Sequence, residues 1–263
     1  ATSGDSETRK QSQTAEINAS VSANQGTELP AMLQAFDRIL GLNEEQKEHV
    51  SYEKEKEHKK KRVEDAFSHI AHINIEAETL LSDNKTTCYR NKAQYPVSFD
   101  RQLKIGFFAP RSHRVVDCEN CILQPPIFAD IVKIFRKFII KNGITVYDSE
   151  KHTGLLRHIY LRLAEATGEV MVCAVINGED LPHKNELIEK LTEIPSVKSI
   201  VLNINRDRTN VILGKECVTV WGNDCIYDVL CGVKVRLSPL SFYQVNHDMA
   251  QQLYEKAAEY ACL

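Results

Sequence analysis

The chain has 263 residues, 43% of them apolar, and a formal net charge of −3. That length holds one large or two modest domains with a real core, and the mild acidity excludes a uniformly basic nucleic-acid coat while leaving local basic patches open. No apolar run approaches the ~20 residues that span a bilayer, and the N-terminus has no charged-then-apolar signal pattern, so a cytoplasmic protein without membrane contact is expected. Its eight cysteines do not read as a disulfide scaffold in a chain this long, and Cys173 sits inside the apolar run Val170–Ile176, so reduced thiols are expected. Only Cys118-Glu-Asn-Cys121 has metal-ligand spacing. It supplies two ligands where a closed site needs four, and a small metal-binding or redox protein built on it is the weakest reading of the chain.

Residues 1–29 are rich in Ser, Thr, Asn, Gln and Glu and cannot bury enough surface to offset their ordering entropy, which predicts disorder. Met32, Leu33, Phe36, Ile39 and Leu40 then make the apolar face of a short helix ended by Gly41, closing a leader over 1–42. Asn43 to about Ala71 reads as a long charged helix, with Val50, Tyr52, Val63, Ala66, Phe67 and Ile70 as its sparse apolar side. Its basic run, Lys59-Lys-Lys-Arg62, is either a solvated face or a phosphate-contacting one.

From Tyr89 the period switches to that of strands. Tyr89–Tyr95 alternates, putting Arg90, Lys92 and Gln94 on one face, and Lys104–Ala109 and Arg114–Val116 follow as strands around a turn at Pro110–His113. Pro125 and Pro126 introduce a helix from about Ile127 to Asn142, with Ile131, Ile134, Phe135 and Phe138 inward and Gly143 as its stop. Arg157–Leu163 and Val170–Asn177 read as a hairpin, Lys184–Ile194 as a helix, and Ser199–Asn205 and Thr209–Leu213 as strands, with a turn at Trp221–Asp224. Many strands with two interspersed helices predict an α+β domain with a mostly antiparallel sheet over about 83–236. Arg90, Lys92, Arg157, His158 and Arg162, beside Tyr89, Tyr95 and Tyr160, form either an ordinary polar sheet face or a basic, aromatic strip for RNA.

The last stretch carries the most information. Val233–Leu237 alternates as a strand, Pro239 stops it, and His247–Leu263 has helical spacing through Met249, Leu253, Ala257 and Tyr260, with Asn246 as a capping residue. Between strand and helix lie Phe242, Tyr243 and Gln244. Two flat rings and an amide on a short turn suit a planar, hydrogen-bonding ligand such as a nucleobase; a hydrophobic turn whose Gln bonds backbone fits the same residues.

Ser241-Phe-Tyr-Gln-Val-Asn246 resembles the Ser-Phe-Phe-Gln-Val-Asn signature of the S-adenosylmethionine-dependent RNA (uracil-5-)-methyltransferases, which modify 23S ribosomal RNA or the tRNA T-loop. Tyr89-Arg-Asn-Lys-Ala-Gln-Tyr-Pro-Val97 and Thr153–Arg162 resemble two further family segments, in the family's order, and the 23S rRNA branch fits best. The resemblance covers roughly Val50 to Leu263.

It implies an enzyme that moves a methyl group from S-adenosylmethionine to C5 of uridine, a reaction that needs a thiolate adding at C6 and a base removing the C5 proton. In the family both groups lie downstream of the helix that ends this chain, so no catalytic residue is assigned here. The chain is expected to be a fragment, inactive alone, in which 237–263 begins a truncated Rossmann-like methyltransferase domain and the charged helix within 43–82 would pack on that domain. By the same resemblance Gln244 contacts S-adenosylmethionine, Phe242 lies near the flipped base, and Arg90 and Lys92 contact RNA. Cys121 matches one iron–sulfur ligand, but residues 42–48 hold none of the family's other cysteines, so no cluster is expected. A monomer acting on RNA, 23S rRNA in particular, is the expectation; a non-catalytic RNA-binding module is the alternative.

Overall fold

A computed structural model of the protein describes residues 52–78 and 80–262. The leader over 1–42 and the start of the charged helix, 43–51, lie outside the described residues. The chain divides into two compact units at Leu80/Leu81.

In the first unit, helix α1 (Tyr52–Ala66) runs into a π-helical turn at Phe67–Ala71 and stops where His72 takes a left-handed conformation. No residue of α1 is buried. Ion pairs one turn apart, Glu53–Lys56, Glu55–Lys59 and Lys60–Glu64, occupy its flank. Lys61 and Arg62 make no ion pair among the described residues, and Val63, Phe67 and Ile70 remain exposed.

The second unit is an α+β domain around a seven-stranded, mostly antiparallel sheet in the order β3-β2-β1-β4-β5-β6-β7. Its strands are β1 (Lys92–Asp100), β2 (Gln102–Phe108), β3 (Val115–Asp117), β4 (Leu156–Leu163), β5 (Val170–Ile176), β6 (Val197–Ile204) and β7 (Glu216–Gly222). Helix α2 (Pro126–Asn142) joins β3 to β4, and α3 (Lys184–Thr192) makes the crossover between β5 and β6, the one parallel pair. Both bury their apolar stripe on the same main core: Phe128, Ile131, Phe135 and Phe138 from α2 and Leu187 and Leu191 from α3, against Val97, Ile159, Leu161, Val172 and Ala174 of the sheet. Gly143 ends α2 at φ 61°, a conformation that costs a side chain but not glycine. A second, two-stranded ribbon of β8 (Ile226–Leu230) and β9 (Val233–Leu237) leads to helix α4 (His247–Tyr260). Among the described residues no helix is long and apolar enough to cross a membrane.

Two expectations are corrected here. Thr209–Leu213 is not a strand. Side chains from the sheet take the backbone groups a strand would pair: Asn205 Nδ2 donates to the Val211 and Ile212 carbonyls, Arg157 to that of Thr209, and Asn203 to that of Gly214. The strand beside β6 is instead β7, whose Val218-Thr-Val-Trp run carries the β-branched and aromatic signal.

The basic strip also dissolves. Arg157 and Arg162 are 4% and 1% exposed, and Tyr95 and Tyr160 are buried. Arg157 falls where β4 bulges against β5 and spends its guanidinium on the carbonyls of Asn205, Asp207 and Thr209. Charge alone reads such a position as solvent-facing, but Arg157 lies under the 209–213 loop, whose Ile212 and Leu213 pack on Tyr160 and Val201.

Candidate functional site

The corner between β9 and α4 is assembled from both ends of the unit. After Leu237 the chain turns through Pro239, and the hydroxyls of Ser238 and Ser241 meet at 2.9 Å. Arg162 fixes this turn from beneath, its two terminal nitrogens donating to the carbonyls of Ser238 (3.0 Å) and Ser241 (2.7 Å) while its guanidinium lies 5.6 Å over the Tyr160 ring. Burial pulls the Arg162 pKa down, yet a guanidinium starts so high that it stays charged.

The two aromatics then part company. Tyr243 is 7% exposed, and its hydroxyl donates at 3.0 Å to Asp228, a fully buried carboxylate of β8. The same carboxylate accepts from the backbone N–H groups of Glu165 and Ala166. His247 closes the cluster by donating to the Val229 carbonyl at 2.8 Å. Burial opposes its charge, but that bond and the carboxylates of Asp248 and Asp228 hold its pKa above the ordinary value.

With Tyr243 pinned inward, Phe242 points out and is 83% exposed. Gln244 is half-buried beside it, and its side-chain carboxamide makes no hydrogen bond among the described residues. The alternative of a Gln serving the backbone is therefore not the arrangement found; the Gln244 carbonyl instead accepts from the Asn91 side chain at 2.9 Å, while the Asn91 N–H bonds Val245 O at 2.8 Å. Asn246 caps α4 by accepting from the Met249 N–H, as its sequence position predicts, and donates to Asp83. An ion pair of Lys85 with Asp248 ties the same two segments.

Asn91 therefore brings its neighbours Arg90 and Lys92 to the corner. Neither side chain makes a hydrogen bond or ion pair among the described residues. The Lys92 pKa is lowered, first by burial and then by the charges of Arg162 and Arg90. Lys92 thus sits beside two other cations, with no ion-pair partner among the described residues. Sequence reasoning missed Asn91 and Asp228, and it gave Arg162 to an RNA-facing strip where the structure uses it to clamp the turn. Asp228 left a signal: in an alternating strand it shares a face with Ile226, which is buried.

Cys118 and Cys121 lie together, Cys121 within reach of the Arg90 charge. The Cys121 thiol is held down to about pKa 6, foremost by the hydrogen bond with Cys118, then by the N–H groups of Leu123 and Gln124 and the Arg90 charge, with burial opposing. Among the described residues no group of three or more His, Cys, Asp or Glu could hold a metal ion. A depressed pKa means that the thiolate is present above pH 6 and is lost as pH falls through it. Alkylation by iodoacetamide, mapped by mass spectrometry, should therefore modify Cys121 at pH 7 about tenfold faster than at pH 5, with its midpoint near the pKa given; a midpoint above pH 8 would show that the thiol is ordinary.

Comparison with known proteins shows what this chain is similar to. The chain is 42% identical over 220 residues to a protein of Clostridium tetani named as an uncharacterized RNA methyltransferase, covering 83% of this chain and 48% of the relative. It is 40% identical over 222 residues to the similarly named protein of Halalkalibacterium halodurans, with the same coverage. The crystal structure of Pyrococcus abyssi tRNA (uracil-54, C5)-methyltransferase in complex with S-adenosyl-L-homocysteine superposes with a TM-score of 0.65 at 26% identity, over 80% of this chain and 48% of that one. No family model matches. Over the shared residues the chain is similar to proteins named as RNA methyltransferases. It spans about half the length of the curated relatives it matches.

Proposed function

We propose that the protein to which this chain belongs is an S-adenosylmethionine-dependent RNA (uracil-5-)-methyltransferase acting on 23S rRNA, and that this chain provides its RNA-engaging sheet domain and one edge of its cofactor site. The observation that carries the reading is the corner itself: an exposed ring, an unused carboxamide and two cations without a carboxylate partner among the described residues are held together by bonds that leave those groups free. The structural neighbour's printed substrate and bound S-adenosyl-L-homocysteine support it.

In this reading the Gln244 carboxamide contributes a donor and an acceptor to a nucleoside cofactor, whose sulfonium supplies the methyl group when bound. Phe242 stacks with a uridine taken out of its helix, and Arg90 and Lys92 hold the flanking phosphates. The nucleophile and base are assigned to none of the residues described here. An RNA-binding module without catalysis is the competing outcome of the test.

The deciding experiment incubates the full-length protein with unmodified 23S rRNA and S-adenosylmethionine, then digests the RNA to nucleosides for mass spectrometry. 5-Methyluridine is the expected product. Its absence while RNA is still bound would leave only the binding module, and a methylated cytidine or ribose would overturn the uracil-5 assignment.

A further inference from the structure

On the face that carries Lys92, β1 continues through Gln94 and Pro96 to Ser98, while Ala93, Tyr95 and Val97 enter the helix-covered core. Ser98 stands six residues beyond Lys92, ~20 Å along an extended strand. There the face ends in a cavity of about 440 Å³. Its walls come from separate segments: Ser98 on β1, Phe108 and His113 at the β2–β3 turn, Tyr147 before β4, and Asn210 after β6.

The cavity is aromatic. Phe108, 45% exposed, stands edge-on to His158 with ring centres 6.3 Å apart and to His113 at 6.1 Å, and the Arg157 guanidinium lies 4.3 Å over the Tyr147 ring. It also holds polar atoms that nothing satisfies: both ring nitrogens of His158 and Nε of Arg157 are buried without a hydrogen-bond partner. Such groups are costly to leave unpaired and need an explanation. Burial, reinforced by the adjacent Arg157 charge, brings the His158 pKa down to about 4, so at neutral pH the ring is uncharged and offers one donor and one acceptor. No carboxylate lines the cavity.

A neutral donor–acceptor pair set among flat rings complements the edge and faces of a nucleobase. A free phosphate is a poorer match, because the terminal nitrogens of Arg157 are already spent on backbone carbonyls. We propose that an unstacked base of the bound RNA, a few nucleotides from the one stacked on Phe242, enters this cavity, swings the Phe108 ring aside so that the ring stacks on it, and pairs with the imidazole of His158. This rests on the RNA reading above and adds a second base-binding site to it. Lys92 and Gln94 form the track between the two.

The test measures binding of a fluorescein-labelled single-stranded RNA to the full 263-residue chain by anisotropy, and repeats it with a single abasic site moved along the RNA. Phe108→Ala, at an exposed ring, should weaken binding about tenfold without lowering the melting temperature. One abasic position should weaken wild type by a similar factor, with Phe108→Ala costing nothing more on that RNA. His158→Gln, which keeps a donor and an acceptor, should bind better than His158→Ala. Wild-type affinity for Phe108→Ala, or losses that simply add at every abasic position, would overturn the pocket. Binding that needs Arg90 and Lys92 but not Phe108 removes this proposal alone, whereas no RNA binding at all removes the reading it rests on as well.

Discussion

Asp228→Ala is expected to destabilise the second unit by about 3–5 kcal/mol, the range for stripping a buried charge from its partners. In a unit of this size that lowers the melting temperature by roughly 6–20 °C. The side chain is fully buried and collects the Tyr243 hydroxyl and the N–H groups of Glu165 and Ala166, so its removal leaves three donors from two distant segments unpaired at once. Tyr243→Phe removes one of these bonds and should cost about 1.5 kcal/mol. The double variant should cost less than the sum, because both changes break the same bond. Differential scanning calorimetry decides it: a loss below 1 kcal/mol for Asp228→Ala would mean that the carboxylate does not anchor the ribbon.

Arg162→Ala should come second, at about 2–4 kcal/mol, since two turn carbonyls lose a charged donor and a cavity opens beside Tyr160. Arg162→Lys should recover less than half of this, because one ammonium cannot span two carbonyls with a planar fork. The consequence reaches beyond stability. With Ser238 and Ser241 released, Phe242 is no longer held outward, so RNA affinity should fall further than Phe242→Ala alone makes it fall. Phe242→Ala itself, at an exposed ring, should leave the melting temperature within about 1 °C. If Arg162→Lys matches wild type in both melting temperature and RNA affinity, the clamp is not what positions the turn.

These two residues also mark where the sequence stops being readable. What depends on neighbours in the chain was legible: Pro126 and Gly143 bound α2, Ala166-Thr-Gly-Glu169 closes the β4–β5 hairpin, and Asn246 caps α4. The corner was legible as a motif, Phe242 and Gln244 on a turn with Arg90 and Lys92 far upstream. What brings those parts together was not, because the Asn91 bridge spans more than 150 residues and has no local pattern.

Charge was the misleading signal. Charge alone groups Arg157 and Arg162 into an exposed strip, yet a loop covers the first and a turn the second, and both guanidinium groups serve as backbone partners. Thr209–Leu213 failed for the same reason seen from the other side: its apolar residues pack beneath side chains that take its carbonyls, so no neighbouring strand is needed to pair them. Tyr243 and Phe242 look equivalent in sequence and differ only because Asp228 captures the hydroxyl.

The central claim is that Phe242, Gln244, Arg90 and Lys92 form one RNA-facing corner, and the salt dependence of RNA binding tests it most directly. For the 263-residue chain and a labelled single-stranded RNA, the slope of log affinity against log salt should become shallower by about 1.4 when Arg90 and Lys92 are both changed to Ala, ~0.7 for each lost phosphate contact. Phe242→Ala should weaken binding by about 1–3 kcal/mol and leave the slope unchanged. Wild-type affinity and slope in all these variants would contradict the claim.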